Sequence, residues 1–132
     1  MNHSDKHVEC TIPVLPVSNL QRSLRYYNEV LGFGTDWCGE VVGSVSRDGH
    51  AVMLSQALSE TTRNWVWIGL HDATLFDEWR SRGVKVKQEP QNHEWAYEMK
   101  FEDPDGNVLW LGTEPREDLP FEGIGHNKGT SP

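Results

Sequence analysis

The stretch IPVLPVSNLQRSLRYYNEVLGF, residues 12–33, decides the fold because its order of structure returns later in the chain. An extended apolar run, Ile12–Val17, leads into a helical segment from about Asn19 to Leu31. Farther along, the extended run Trp65–Leu70 leads into a second helical segment from about Ala73 to Arg82. Self-similarity of this kind indicates a fold made of duplicated units.

The first copy is predicted to continue as three short strands. Ser18 or Asn19 is a natural N-cap for its helix, and an apolar face follows at spacings of three and four: Leu20, Leu24, Tyr27 and Leu31. The predicted strands cover about Thr35–Gly39, Val41–Arg47 and Ala51–Ser55. Asp48-Gly49 between the last two is a strong hairpin signal.

The second copy repeats this order. Asp72 is predicted to cap its helix, whose buried face is predicted to be Leu75, Phe76 and Trp79. The following segments are predicted as a strand at Val84–Lys87, a polar loop at Glu89–Glu94, and strands at Tyr97–Phe101 and Val108–Leu111. The turn DPDGN, residues 103–107, joins the last two strands. The order βαβββ, twice, predicts an α+β fold with two curled mixed sheets and a groove, and concave surfaces bind small molecules.

The boundaries follow from composition. Residues 1–10 are predicted as a flexible arm, 11–60 as the first module, 61–113 as the second and 114–132 as a flexible tail, all within one domain. With two prolines, the first strand is expected to be an edge strand or to be exchanged with another subunit.

Charge and cysteine content narrow the function classes. The net charge of −8 argues against nucleic-acid binding and suits a cationic ligand, although solubility alone also explains it. No apolar run is long enough for a membrane span, and the polar N-terminus does not resemble a signal peptide. We therefore expect a cytoplasmic protein in which Cys10 and Cys38 are free thiols.

Four motifs together resemble a known superfamily. They are Pro13-Val-Leu-Pro-Val-Ser-Asn-Leu, Ser23-Leu-x-Tyr-Tyr, Leu31-Gly-Phe and Phe101-Glu-Asp-Pro-Asp-Gly-Asn-Val-Leu. This combination is similar to the vicinal oxygen chelate superfamily of glyoxalases, bleomycin-resistance proteins and extradiol dioxygenases. The resemblance covers about residues 11–113 and implies the two-module fold.

Enzymes of that superfamily hold a divalent ion with His and Glu side chains from several strands. The corresponding positions in this chain are Ile12, Trp65, Trp110 and the region of Met53 or Leu54. Apolar groups cannot replace imidazole and carboxylate donors. The resemblance therefore implies no catalytic metal and no cofactor.

The pattern is also similar to that of the metal-free bleomycin-resistance proteins, through Leu31-Gly-Phe-x-x-Asp-Trp, Leu54-Ser55 and Trp65-Val-Trp. This resemblance implies a homodimer that exchanges its first strand, with Pro13 as the hinge, and grooves that sequester a drug. The residues implied to bind ligand are Asp36, Trp37, Ser55, Trp65, Trp67, Trp95 and Trp110.

Several side chains allow a second interpretation. Trp65 and Trp67 share one strand face, and we expect one in the core and one, preferably Trp65, in the groove. Glu98 and Glu102 alternate with apolar residues, so they face either the groove or solvent. Trp79 is expected in the core.

These patterns favour an antibiotic-binding protein that sequesters a cationic, bleomycin-type glycopeptide drug without modifying it. Two alternatives stay open. One is a binding protein for another aromatic metabolite. The other is a metal-dependent enzyme with unrecognised ligands, such as His50, His93 and Glu98.

Overall fold

The computed structural model describes residues 7–57 and 64–122. The chain divides into two compact units, Met1–Ser59 and Glu60–Pro132. Each unit contains one four-stranded mixed sheet, so the predicted α+β class with two mixed sheets is confirmed. Residues 58–63, where the two predicted modules meet, lie outside the described residues, as do the arm up to residue 6 and the tail from residue 123.

The first unit has the order β1-β4-β3-β2, with β1 parallel to β4 and the other pairs antiparallel. Its elements are β1 Val14–Pro16, α1 Leu20–Glu29, β2 Gly34–Cys38, β3 Val42–Arg47 and β4 His50–Ser55. The predicted N-cap is confirmed at Asn19, whose side chain accepts a hydrogen bond from Arg22 N. The predicted helix face Leu20, Leu24, Tyr27 and Leu31 is buried.

The turn at Asp48-Gly49 confirms the predicted hairpin between β3 and β4. Both residues have positive φ, 54° and 83°, as the tight two-residue turn requires. β1 pairs with β4 of its own chain, and Pro13 O accepts a hydrogen bond from Met53 N. Cys10 and Cys38 are exposed free thiols, as expected.

The second unit repeats the arrangement with the order β5-β8-β7-β6. Its elements are β5 Trp65–Gly69, α2 Thr74–Ser81, β6 Lys85–Asn92, β7 Tyr97–Glu102 and β8 Val108–Thr113. The helix packs on one face of this sheet: Phe76 stacks on Tyr97, and the Trp79 and Phe101 rings meet edge to face, each pair 5.4 Å apart. Trp79 is fully buried, as expected.

One predicted boundary is wrong. Residues 89–92, interpreted as part of a polar loop, belong to β6. The sequence there is polar and contains Pro90, a residue that weakens a strand prediction. A proline is tolerated because β6 is the edge strand of the sheet, and two register irregularities interrupt its pairing with β7.

The DPDGN turn, residues 103–107, joins β7 to β8 and is stabilised by its own side chains. Both carboxylate oxygens of Asp103 accept hydrogen bonds inside the turn, from the backbone N–H groups of Asp105 and Asn107 and from the Asn107 amide. The Asn107 side-chain oxygen accepts a hydrogen bond from Asn64 N at 3.1 Å. The turn therefore holds the residue that precedes β5.

No helix in the described part of the chain is long and apolar enough to cross a membrane.

Candidate ligand-binding site

Four tryptophans lie together on the second sheet, on the face opposite α2. β5 carries Trp65 and Trp67, β8 carries Trp110, and the loop between β6 and β7 carries Trp95. The parallel register places Trp67 directly beside Trp110. We call these four residues the tryptophan cluster.

Trp110 is the centre of the tryptophan cluster. Its ring centroid lies 5.8 Å from that of Trp65, 5.4 Å from Trp67 and 6.1 Å from Trp95, and each pair is edge to face. Edge-to-face geometry is favoured by the quadrupoles of aromatic rings. Trp65, Trp67 and Trp95 are 52%, 47% and 58% exposed, so the expectation that either Trp65 or Trp67 lies in the core is wrong.

Gly112 makes room for one of these rings. A methyl group at this position would lie 2.1 Å from Cη2 of Trp67 and within 3 Å of two more ring atoms. The outer end of the Trp67 ring therefore lies against the backbone of β8 at Gly112. Any larger residue at position 112 would force the indole to move.

A buried carboxylate fixes the orientation of Trp110. Glu98 on β7 is 2% exposed, and its Oε1 accepts a hydrogen bond from Trp110 Nε1 at 2.6 Å. Its Oε2 accepts one from Gln88 Nε2 at 3.1 Å and lies 3.4 Å from His93 Nε2. Burying a charge requires such partners, since an unpaired buried carboxylate is strongly destabilising.

A lysine supplies the positive charge of this face. Lys100 Nζ lies 3.7 Å from Glu98 Oε2 and donates to Gln88 Oε1 at 2.9 Å. It also lies 4.8 Å from the ring centroid of Trp110 and 5.6 Å from that of Trp65, within cation–π range. The strand alternation that buries Met99 and Phe101 against α2 is what directs Glu98 and Lys100 to the tryptophan face.

Trp95, the tryptophan in the loop between β6 and β7, stacks on a neighbouring histidine. The rings of Trp95 and His93 are parallel within 4° and 4.8 Å apart. Neighbouring Asn92 is buried, and its side chain makes hydrogen bonds to Arg116 N and to the Arg116 and Leu119 carbonyls. Part of the segment predicted as a flexible tail therefore contacts the base of this loop.

The remaining candidates lie in the first unit. The Asp36 carboxylate accepts hydrogen bonds from the hydroxyls of Ser44 at 3.1 Å and Ser46 at 2.7 Å. Trp37 pairs with Ser44 across β2 and β3 and is 48% exposed. Ser55, at the end of β4, is buried, and its carbonyl accepts a hydrogen bond from Val17 N. The acid and the indole are thus adjacent, and Ser55 lies two strands away.

The superfamily's metal does not fit this donor set. Ile12, Leu54 and Trp65 offer no ligand atom, and the Trp110 indole N–H is already donated to Glu98. Across residues 7–57 and 64–122, no group of three or more His, Cys, Asp or Glu side chains is arranged to hold a metal ion. The alternative ligand set draws His50 from the first unit and His93 and Glu98 from the second, and it stays a prediction.

Comparison with known proteins gives the family. The model of the glyoxalase/bleomycin resistance protein/dioxygenase superfamily matches residues 6–111. The chain belongs to this superfamily. No curated protein matches the sequence.

Solved structures share the fold at low sequence identity. The bleomycin-binding protein of Streptomyces verticillus, complexed with copper(II)-bleomycin, is 20% identical with a TM-score of 0.70, covering 83% of this chain and 98% of that one. The bleomycin resistance determinant of transposon Tn5 is 20% identical with a TM-score of 0.71, covering 85% and 100%. TioX from Micromonospora sp. ML1 is 16% identical with a TM-score of 0.64, covering 80% and 99%.

Sequence reasoning identified the tryptophans and missed the polar network beneath them. Lys100 and Gln88 were not among the predicted binding residues. For Glu98, the sequence did not decide whether the side chain faces the groove or solvent. The available signal was strand alternation: on β7, the charged residues separated by Met99 and Phe101 must share one face, opposite to those two apolar residues.

Proposed function

We propose that this protein binds a flat aromatic drug of the bleomycin type and sequesters it without chemical modification. The observation that carries the proposal is the tryptophan cluster, in which three half-exposed indoles surround a fourth whose orientation is fixed by Glu98. Ordered aromatic faces bind planar ligands with little loss of side-chain freedom.

The remaining parts of the proposal follow the resemblance. Asp36, Trp37 and Ser55 in the first unit contribute to ligand binding, with Asp36 receiving a cationic group of the drug. The protein acts as a cytoplasmic homodimer, with Pro13 as the hinge for exchange of β1. Support comes from the superfamily assignment and from a bleomycin-binding protein and a bleomycin resistance determinant that share the fold.

The chemistry of the site supports binding rather than catalysis. Where the superfamily's enzymes hold their ion, this chain has side chains that cannot ligate one, and Trp110 donates a hydrogen bond instead. Another flat metabolite could use the same indoles. Competition between that metabolite and bleomycin would identify the preferred ligand.

Titration of bleomycin into metal-stripped protein, followed by tryptophan fluorescence and calorimetry, tests the proposal. We expect saturable quenching near one drug per chain. The double variant Trp65→Ala/Trp67→Ala should weaken binding about tenfold or more, since each aromatic pair contributes about 0.5–1.5 kcal/mol beyond its buried area. Trp65→Phe/Trp67→Phe, which keeps the rings, is the matched control and should lose much less.

Two results would contradict the proposal. Folded protein that gives no saturable response excludes the bleomycin class. Mass spectrometry of drug recovered from the complex should show an unchanged mass, and a modified drug would mean that the protein is an enzyme.

A further inference from the structure

The polar atoms that the tryptophan cluster presents to a ligand are nearly all hydrogen-bond donors. Within the described residues, the indole N–H groups of Trp65, Trp67 and Trp95 have no hydrogen-bond acceptor. An indole N–H only donates. A ligand lying on these rings therefore meets N–H groups along their edges.

Lys100 adds a charged donor to the same face. Its ammonium group has three N–H bonds, and Gln88 Oε1 accepts one of them at 2.9 Å. Glu98 Oε2, at 3.7 Å, balances the charge but lies beyond hydrogen-bond distance. Lys100 thus retains the capacity to donate to a ligand that lies against Trp110 and Trp65.

The carboxylate that contacts Trp110 is already occupied. Glu98 is 2% exposed and accepts hydrogen bonds from Trp110 and Gln88, with His93 and Lys100 close to its second oxygen. A cationic group approaching Trp110 would also meet Lys100, which occupies the cation–π position over that ring. A positive charge on a ligand is therefore disfavoured beside Trp110, the centre of the tryptophan cluster.

We propose that the tryptophan cluster selects flat heteroaromatic groups that carry hydrogen-bond acceptors, a carboxylate above all, and that Lys100 determines this specificity. This inference rests on the proposed function, because it states which part of a ligand the cluster takes. A cationic drug places its flat rings on the cluster, and its charged groups bind elsewhere.

Three probes with the same ring system test the inference: quinoline-2-carboxylate, quinoline-2-carboxamide and 2-(aminomethyl)quinoline, measured by calorimetry at pH 7.4. We expect the carboxylate to bind at least about tenfold more tightly than the ammonium compound, as a charge-assisted hydrogen bond would give. Lys100→Met should reduce this ratio to less than about threefold.

Two variants separate specificity from folding. Lys100→Arg keeps the charge and should preserve the preference for the carboxylate. Lys87→Met removes a lysine from β6 that pairs with Glu102 at 3.6 Å, and it should leave the preference unchanged. Circular dichroism of each variant confirms that it is folded before its affinities are compared.

The outcomes distinguish this inference from the proposed function. If wild-type protein binds the ammonium probe as tightly as the carboxylate, or if Lys100→Met keeps the full preference, the inference is overturned. Bleomycin binding in the same preparation then leaves the proposed function standing. If neither the quinolines nor bleomycin bind, both fail.

Discussion

The two sheets have the same strand order and the same pairing pattern, yet their faces opposite the helices differ in chemistry. In the first sheet that face carries one indole, Trp37, one carboxylate with two hydroxyl partners, and small hydroxyl side chains: Ser44, Ser46 and Ser55. In the second it carries indoles around a buried ion pair. The helix-facing sides are constrained by packing in both units. The comparison shows that the opposite faces of a duplicated scaffold can differ in chemistry while the pairing of their strands stays the same.

The largest expected difference between the sheets concerns their tryptophans. Trp110→Ala removes a ring with three aromatic neighbours and deprives buried Glu98 of its shortest hydrogen bond, so we expect a loss of about 4 kcal/mol in the free energy of unfolding. Trp37→Ala, on the exposed face of the first sheet, should cost about 1 kcal/mol or less. Urea denaturation measures both. Equal losses would show that Trp110 has no special role.

A second prediction compares two glutamates on the same face of β7. Glu98→Ala leaves Lys100 and Trp110 without their buried partner and should destabilise by about 3 kcal/mol. Glu102→Ala removes contacts with Lys85 and Lys87, which are more exposed, and should cost about 1 kcal/mol or less. Thermal unfolding of the two variants measures both losses of stability. A larger effect at Glu102 would contradict the proposed arrangement.

The third prediction concerns Asn92, which ties the second unit to the segment that follows β8. Asn92→Ala removes hydrogen bonds to Arg116 and Leu119 and leaves a buried gap, at a cost of about 2 kcal/mol. Hydrogen exchange should accelerate at Arg116, whose N–H loses its acceptor. Unchanged exchange there would show that the contact contributes nothing to order.

The fourth prediction separates ligand binding from stability. Gly112→Ala should displace the Trp67 indole with a stability loss of only about 1 kcal/mol, because a half-exposed ring can move. Near-ultraviolet circular dichroism should change, and ligand affinity should fall. Gly69→Ala is the control, since its added methyl would lie 3.3 Å from the Trp67 indole nitrogen and require only a small shift. Identical spectra for both variants would refute the predicted displacement.

The smallest effect is the dependence of stability on pH. The hydrogen bond from Arg80 lowers the pKa of Glu89, and the one from Arg116 lowers the pKa of Asp118. A lowered folded-state pKa means that the unfolded chain binds more protons in acid, so this stabilisation is present above the ordinary carboxyl pKa and is lost as the pH falls. Both groups are exposed, so the contribution is small.

The double variant Glu89→Gln/Asp118→Asn tests this effect. Between pH 6 and pH 3, about the range over which exposed carboxyls titrate, its unfolding free energy should fall less steeply than that of the wild type. An unchanged slope in the double variant would show that the ion pairs of Glu89 with Arg80 and of Asp118 with Arg116 do not stabilise the fold.

The sequence predicted what depends on local pattern. Both helices, the Asp48-Gly49 hairpin, the buried face of α1 and the burial of Phe76 and Trp79 on α2 followed from spacing and turn chemistry. Leu75, which was also predicted to be buried, is only half-buried. It mispredicted β6 because a polar edge strand with a proline lacks the apolar alternation of a buried strand. It could not place Glu98 beside Trp110, since that contact depends on strand register and on which of two faces the helix covers.

The side-chain bond from Asn107 to the residue before β5 has a consequence for the order in which the second unit forms. Asn107 is held inside a local turn that can close early, whereas Asn64 lies 43 positions away in the chain. We expect the β7–β8 hairpin to form first and to act as the template on which β5 aligns. During synthesis, Trp65 and Trp67 therefore stay fully exposed and prone to self-association until the ribosome has released β8, the strand with which β5 pairs.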